Sequence, residues 1–305
     1  MSGGVGGARL ARALQRVMNP ADLSVIVNVG DDENVYGTRV CADLDTVSYT
    51  LAGIEGIQGW GVADDTFNVM EALAAMGVDT AFRLGDRDLA LCLRRTTELR
   101  AGVPLSEITA KITESLGVTT RVLPASDDEV RTRVRVSGGT WLDFQDYFVV
   151  RSHRDPVDAV RYDGAASAVP APGVLEAIAA ADLVIVAPSN PPLSIWPILA
   201  VPGIRDAISA GPRTVAMSPL FAGKALKGPA DRVMAGLGLP PGNAGVMAAY
   251  EGLLTDLVID QGDAADRAEL AGGPVAVHAM DTRLTGPDSG AGVAAAMLAA
   301  LGFRS

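Results

Sequence analysis

Three short apolar runs in this chain each stop at a cluster of small polar residues, and that repeated junction constrains the fold most. Asp182-Leu183-Val184-Ile185-Val186-Ala187 runs into Pro188-Ser189-Asn190-Pro191. Leu23 to Gly30 runs into Asp31-Asp32-Glu33, and Arg213-Thr214-Val215-Ala216-Met217 runs into Ser218-Pro219. Near-continuous apolar runs of this length mark strands buried on both faces of a parallel sheet. Ligands of open α/β sheets bind beyond the carboxyl ends of the strands. Three such ends carrying Asn, Ser, Asp and Pro therefore predict one site on one edge.

The remaining periodicities fit that frame. After the glycine-rich start Gly3-Gly4-Val5-Gly6-Gly7-Ala8, residues Leu10, Leu14, Val17 and Met18 share one helical face. Past Trp60-Gly61, Asp64 or Asp65 is placed to cap a helix that buries Phe67, Met70, Leu73 and Met76. Two further helices are expected over 87–100 and 105–116. Val130, Thr132, Val134 and Val136 then alternate with Arg131, Arg133 and Arg135, which predicts an antiparallel strand with one wet face, paired with 140–150. From Pro172 onward helix and strand alternate, with strands near 182–187, 213–217, 256–260 and 275–279 and a last helix over 289–301. The pattern predicts an α/β fold, a Rossmann-like, doubly wound, mostly parallel sheet formed by 1–59 and 166–305. A helical and antiparallel cap lobe, 60–165, is inserted in it. One element is out of place: a glycine loop of this kind follows a first strand, yet only Met1 and Ser2 precede Gly3. Either the true start lies upstream or the sheet lacks that strand.

Composition narrows the partners. The chain has 305 residues and a net charge of −11, which argues against a nucleic-acid partner, since phosphate backbones are met by basic faces. No apolar run approaches the ~18 residues of a membrane span, and no N-terminal apolar export segment is present. Cys41 and Cys92 are expected as reduced thiols of a cytoplasmic protein. With only His153 and His278, a zinc cluster or a histidine triad is disfavoured.

The chemistry-bearing residues are Gly, Asp and a few cations. Arg9 stands where the dinucleotide fingerprint needs a small residue, and no Gly-Lys-Ser/Thr follows, so neither that motif nor a Walker loop fits. What remains is a phosphate-sized anion site made by Gly4, Gly6 and Gly7 as they open a helix; the structural alternative is a tight turn. Asp43-Leu44-Asp45, read as an extended segment, points both carboxylates into one pocket. Asp31 and Asp32 converge on it, and four carboxylates beside a phosphate require a divalent cation, most simply Mg²⁺. The alternative is solvated turn acids with Asp45 capping a helix. Arg83, just before Gly85-Asp86-Arg87-Asp88, is a candidate ligand contact, and Lys224 and Lys227 are within reach of anionic groups or simply exposed. Trp60 and Phe144 are ordinarily core residues.

Together these segments resemble the 2-phospho-L-lactate transferase family of deazaflavin-coenzyme (factor-420) biosynthesis. The resemblance runs through Gly-Gly-Val-Gly-Gly-Ala-Arg-Leu at 3–10, Asn-Val-Gly-Asp-Asp at 28–32 and Asp-Leu-Asp-Thr-Val at 43–47. It continues in Leu-Gly-Asp-Arg-Asp-Leu-Ala at 84–90, Leu-Pro-Ala-Ser-Asp-Asp at 123–128 and Phe-Gln-Asp-Tyr-Phe at 144–148. Ala-Pro-Ser-Asn-Pro at 187–191 and Gly-Lys-Ala-Leu-Lys-Gly-Pro-Ala at 223–230 complete it. It implies Mg²⁺-dependent transfer of a phosphoenolpyruvyl or 2-phospholactyl group from a GDP-linked donor to the ribityl hydroxyl of the deazaflavin Fo, with release of GMP, by a homodimer. It also implies roles: Asp45 and Asp43 in catalysis, Asp45, Arg83 and Trp60 at Fo, Asp31 and Asp45 at the metal. Gly4, Gly6, Gly7, Asn28, Ser189, Asn190 and Lys224 fall where the nucleotide is expected. The chain departs from the family in its first strand and in Ala42, where proline is usual, a change that loosens the loop without removing a functional group. A non-catalytic nucleotide- or nucleotide-sugar-binding regulator is the alternative of a different class; an NAD-dependent oxidoreductase is disfavoured by Arg9.

Overall fold

Apolar runs become parallel strands here because helices cover both of their faces. The computed structural model describes residues 1–270 and 272–303. Its strands are β1 (Ser24–Val27), β2 (Glu33–Val35), β3 (Thr38–Val40), β4 (Arg121–Pro124), β5 (Arg131–Val136), β6 (Thr140–Asp143) and β7 (Val157–Asp163). They continue with β8 (Leu183–Val186), β9 (Arg213–Met217), the hairpin β10 (Leu220–Phe221) and β11 (Lys224–Ala225), β12 (Asp256–Asp260) and β13 (Ala276–Met280). The order β13-β12-β9-β8 is parallel throughout, and β1 pairs in parallel with β4.

Met1 and Ser2 join the two halves. Ser2 donates its N–H to Ile26 O at 2.8 Å and accepts from Asn28 N at 3.0 Å. On the other side the Met1 ammonium donates to Ile185 O at 2.7 Å, and Met1 O accepts from Ala187 N at 3.0 Å. The sheet therefore runs β4-β1-(Met1–Ser2)-β8-β9-β12-β13, and two residues fill the slot expected of a first strand. Strand order reverses at that slot, which makes it the topological switch point where such sheets bind ligands. The fold is the expected Rossmann-like α/β sheet.

Helix α1 (Gly4–Val17) leaves the switch point and buries Leu10, Ala13 and Leu14. It packs between α2 (Ala42–Ala52) and the helix Pro287–Ala300. The next helices are α3 (Asn68–Ala75), α4 (Asp86–Arg100) and α5 (Leu105–Ser115), and β6-β5-β7 form an antiparallel sheet that packs on the helix Ala230–Gly236. β4 comes from within 60–165 yet extends the core sheet, because Val122 and Leu123 are buried in the main core.

Three local expectations change. Asp65 caps α4, accepting from the N–H groups of Arg87 and Asp88, while Asp86 of α4 accepts from Asn68 N and Val69 N at 3.0 Å and caps α3. The two helix starts face each other, so each borrows its cap from the other. Met76 is 71% exposed, because it follows the last turn of α3, beyond the cluster of Met70, Leu84, Leu89 and Cys92. Pairing with β5 stops at Asp143: Phe144 and Phe148 stack at 5.3 Å with the spacing of a helical turn, and 146–150 coils accordingly. Cys41 and Cys92 are buried free thiols. Among the described residues no helix is long and apolar enough to cross a membrane.

The opposite, amino-terminal edge of the sheet carries a stability determinant. Asp256 accepts from Arg213 Nε and Nη2, both at 2.6 Å, and lies 2.8 Å from His278 Nε2. Burial opposes its ionisation, but the hydrogen bonds from Arg213, His278 and Thr255 outweigh it and hold the carboxyl at about 2. Asp256→Asn is expected to lower stability by about 1.5–3 kcal/mol, because charge-assisted hydrogen bonds to a buried carboxylate are lost. The folded value lies below that of the unfolded chain, so the wild-type advantage is complete above pH ~4 and is lost as pH falls through about 2. Urea titrations of both proteins at pH 7 and at the acid end check this; a difference constant with pH contradicts it.

Candidate active site

The glycine loop is shaped by what presses on it. Gly4 opens α1 at φ +63, in the left-handed region that favours glycine. A Cβ on Gly3 would lie 2.7 Å from both Asp43 Oδ2 and Ser194 Cβ, one on Gly6 2.3 Å from Pro188 O, and one on Gly7 2.4 Å from Ser2 Oγ. The Pro188–Ser194 segment thus closes directly onto the loop. Ser189 Oγ donates to Gly3 O at 2.7 Å and accepts from Gly3 N at 3.3 Å. Asn190 caps the following turn by accepting from Leu193 N, and its Nδ2 is buried without a partner.

Two acids meet at this crevice. Asp43 Oδ1 accepts from Gly4 N at 2.7 Å, and Oδ2 accepts from Asn28 Nδ2 at 3.0 Å. Asn28 Oδ1 in turn accepts from Gly30 N at 2.8 Å and fixes the turn that carries Asp31. Burial, and then the charge of Asp43, push Asp31 well above the ordinary carboxylate range. Asp43 is also raised, by burial, against the hydrogen bonds from Asn28 and Gly4. Asp31 Oδ1 and Thr132 Oγ1 are buried with no hydrogen-bond partner among the described residues. Two buried carboxylates, one raised by the charge of the other and carrying a partnerless oxygen, form a hard-oxygen donor set that fits a small divalent cation.

Asp45 is elsewhere. The Asp43-Leu44-Asp45 segment is the first turn of α2 and not an extended strand. Residues two apart on a helix point about 200° apart around the axis. Asp45 therefore turns away from the glycine loop and is gripped by both terminal nitrogens of Arg95, with Nη1 3.1 Å from Oδ2. Asp31 therefore has Asp43, and not Asp45, as its carboxylate neighbour in the crevice, because Asp45 turns to Arg95. Asp32 belongs to the Asp45 side: burial pushes it up to about 6, against Arg39, whose Nη2 lies 3.4 Å from Oδ2. Asp88 joins this second group. Its carboxylate accepts from Tyr49 OH at 2.8 Å, and it is raised by burial and by Asp45. Single ligand atoms of Asp45, Asp88 and Cys92 lie within 4.8 Å of one another, but the Arg95 guanidinium, bonded to Asp45 and 3.9 Å from Cys92 Sγ, opposes a metal there.

The remaining expected residues are on the rim. Trp60 is half exposed on a loop whose Gly59 abuts Val5 of the glycine loop. Lys224 is exposed on the β10–β11 hairpin, which is held where Gly223 N donates to Asp263 Oδ1 at 2.9 Å. Lys227 Nζ donates to Gln58 O at 3.3 Å and ties that segment to the Trp60 loop. Arg83 is exposed and stacks on Phe67 at 4.4 Å, so its side chain is held there and not by the acids. Phe144 packs in the cluster that the antiparallel sheet shares with Leu193 and Val233.

Several site residues escaped sequence reasoning. Thr132 leans on Gly30, Tyr162 donates to Pro192 O at 2.6 Å, and Gln145 Nε2 donates to Asp31 O at 2.8 Å. All three come from the antiparallel lobe, and no spacing in the chain links them to residues 28–31. Arg95 had a visible signal, since it falls on the buried stripe with Leu89, Cys92 and Thr96. A charged residue at an apolar-stripe position marks a buried ion pair.

Fold and site define a Rossmann-like α/β protein whose anion-sized glycine loop sits at the switch point beside a buried acid pair. The family model described as 2-phospho-L-lactate transferase CofD matches residues 1–282. A phosphoenolpyruvate transferase of Streptomyces griseus is 43% identical over 301 residues, covering 96% of this chain and 95% of that protein. One from Streptomyces coelicolor is 45% identical over 281 residues, covering 89% and 88%. A crystal structure of a UPF0052-family protein from Bacillus halodurans shares the fold, with a TM-score of 0.63 at 18% identity, over 97% of this chain and 96% of that one. The chain belongs to the 2-phospho-L-lactate transferase CofD family and is a transferase.

Proposed function

We propose that this enzyme transfers a phosphoenolpyruvyl group, or in the saturated case a 2-phospholactyl group, from a GDP-linked donor to the ribityl hydroxyl of Fo, releasing GMP. The observation that carries the reading is the meeting of the glycine loop with Asp31 and Asp43 at the switch point. There a diphosphate would find backbone N–H groups and a metal-holding acid pair together. The relatives' name favours the phosphoenolpyruvyl donor.

In this reading Gly4, Gly6, Gly7, Asn28, Ser189 and Asn190 seat the donor's phosphates, with Lys224 at the rim. Asp31 and Asp43 hold Mg²⁺, which when bound offsets charge on the two phosphates. Trp60 and Arg83 border the acceptor end, and Asp45 stands on the acceptor side of the same helical turn. Attack of a hydroxyl on a diphosphate is mainly a problem of charge and alignment, so no protein nucleophile is needed and the shortage of His is no obstacle. The cytoplasm and a homodimer are the proposed setting.

Incubating the protein with Fo, Mg²⁺ and either GDP-linked donor is expected to yield GMP and a deazaflavin carrying the added three-carbon phosphoacid, read by mass spectrometry. EDTA is expected to abolish turnover and Mg²⁺ to restore it. Tight nucleotide binding with no GMP from either donor would favour the regulator, and full turnover in metal-free buffer would remove the acid pair's role.

A further inference from the structure

Arg95 carries a full charge into the interior. It is 2% exposed, among the largest fully buried side chains, and it sits on α4, outside the crevice. Its guanidinium takes Asp45 with two nitrogens and also donates Nη1 to the Arg39 carbonyl at 3.1 Å. Taking a guanidinium out of water costs several kcal/mol even when it is paired, and apolar residues of similar volume often replace such pairs without loss of stability. The planar fork does have one property that an apolar residue lacks: it fixes the orientation of the carboxylate it holds.

That orientation matters because of Asp43. Asp45 and Asp43 share the first turn of α2, and Asp43 must be held against the like charge of Asp31. Its hydrogen bonds to Gly4 and Asn28 hold the carboxylate itself. The backbone turn is closed by Asp45 N–H on Cys41 O at 2.9 Å and gripped from the side-chain end by the Asp45–Arg95 fork, which is braced through the Arg39 carbonyl. We propose that Arg95 is a positioning residue for the metal-binding acid pair: it pins the first turn of α2 through Asp45 and so sets where Asp43 stands relative to Asp31. The inference rests on the transferase reading above only for its catalytic consequence; the placement of Asp43 does not depend on which group is transferred.

The test uses Arg95→Lys, which keeps the charge and loses the fork, and Arg95→Met/Asp45→Asn, which removes both charges together. Three readouts are taken: thermal unfolding, Mg²⁺ binding by calorimetry with GDP present, and kcat against KM for donor and acceptor. Arg95→Lys is expected to stay folded, bind Mg²⁺ at least 10-fold more weakly and lose at least 10-fold in kcat, with the acceptor KM within about twofold. The double variant is expected to unfold near the wild-type temperature while Mg²⁺ binding stays weak. A purely structural role predicts the reverse, with Mg²⁺ affinity returning together with stability. That result, or wild-type Mg²⁺ binding in Arg95→Lys, would overturn the proposal. A wild-type protein that binds Mg²⁺ and GDP without transfer would count against the proposed reaction and leave the Mg²⁺ comparison to decide the positioning.

Discussion

Asp43→Asn is expected to lower kcat by at least about 10²-fold, the loss typical when a preorganised charge at a reacting phosphate is removed, and to weaken Mg²⁺ binding in parallel. The substitution keeps the side chain's shape, so the effect isolates charge and hydrogen-bond polarity. Asp43 accepts a donor on each oxygen, Gly4 N on one and Asn28 Nδ2 on the other. An asparagine offers one acceptor and one donor, so whichever way its amide lies, an N–H faces an N–H. That mismatch costs about 1–3 kcal/mol locally. Relief of the repulsion between Asp43 and Asp31 offsets part of it, so the melting temperature should move little while the rate collapses. Rate and Mg²⁺ titrations on the purified variant decide the matter; a near-wild-type rate removes Asp43 from the proposed metal site.

The same aspartate shows where sequence reasoning stopped. The strands were legible because runs such as Leu183–Val186 and Arg213–Met217 carry their burial in their composition, and the polar residues that end them all lie on one sheet edge. Asp43 and Asp45 were legible as important but not as pointing apart. Period two and period 3.6 predict opposite geometries for residues two apart, and the segment is too short for periodicity to choose between them. The helical cue was the unbroken Thr46-Val47-Ser48-Tyr49 continuation, all buried in α2. The swapped caps of Asp65 and Asp86 failed for a different reason. Each lies at a helix start and satisfies the local rule, so only the facing of α3 and α4 reveals the exchange. Thr132, Gln145 and Tyr162 reach Asp31's turn only because the antiparallel lobe docks there, a tertiary fact with no local signature.

Gly6→Ala is expected to be the most damaging single-methyl change at the site, and Gly292→Ala its control. The added Cβ at Gly6 would sit 2.3 Å from the Pro188 carbonyl oxygen and 3.4 Å from its carbon. Both are backbone atoms, so no flexible side chain can yield. Pro188 cannot retreat easily, because its own ring is rigid and because Ser189 is bonded to Gly3 through both N–H and C=O. The glycine loop must therefore open away from the loop at 188–190, separating the two halves of the proposed phosphate cradle. Overpacking of this kind costs about 1–3 kcal/mol in stability, and the displaced N–H groups should weaken nucleotide binding by at least about 10²-fold, since alignment of the amides is what makes the anion site. Gly292 lies inside the helix Pro287–Ala300, where an added Cβ would meet nothing within 4 Å. There alanine relieves the conformational entropy of glycine and should add about 0.5–1 kcal/mol. Calorimetric nucleotide titration and thermal unfolding of the two variants should move in opposite directions in stability, with binding lost only in Gly6→Ala. If Gly6→Ala binds GDP as the wild type does, the cradle between the glycine loop and Pro188 is not where the phosphates lie.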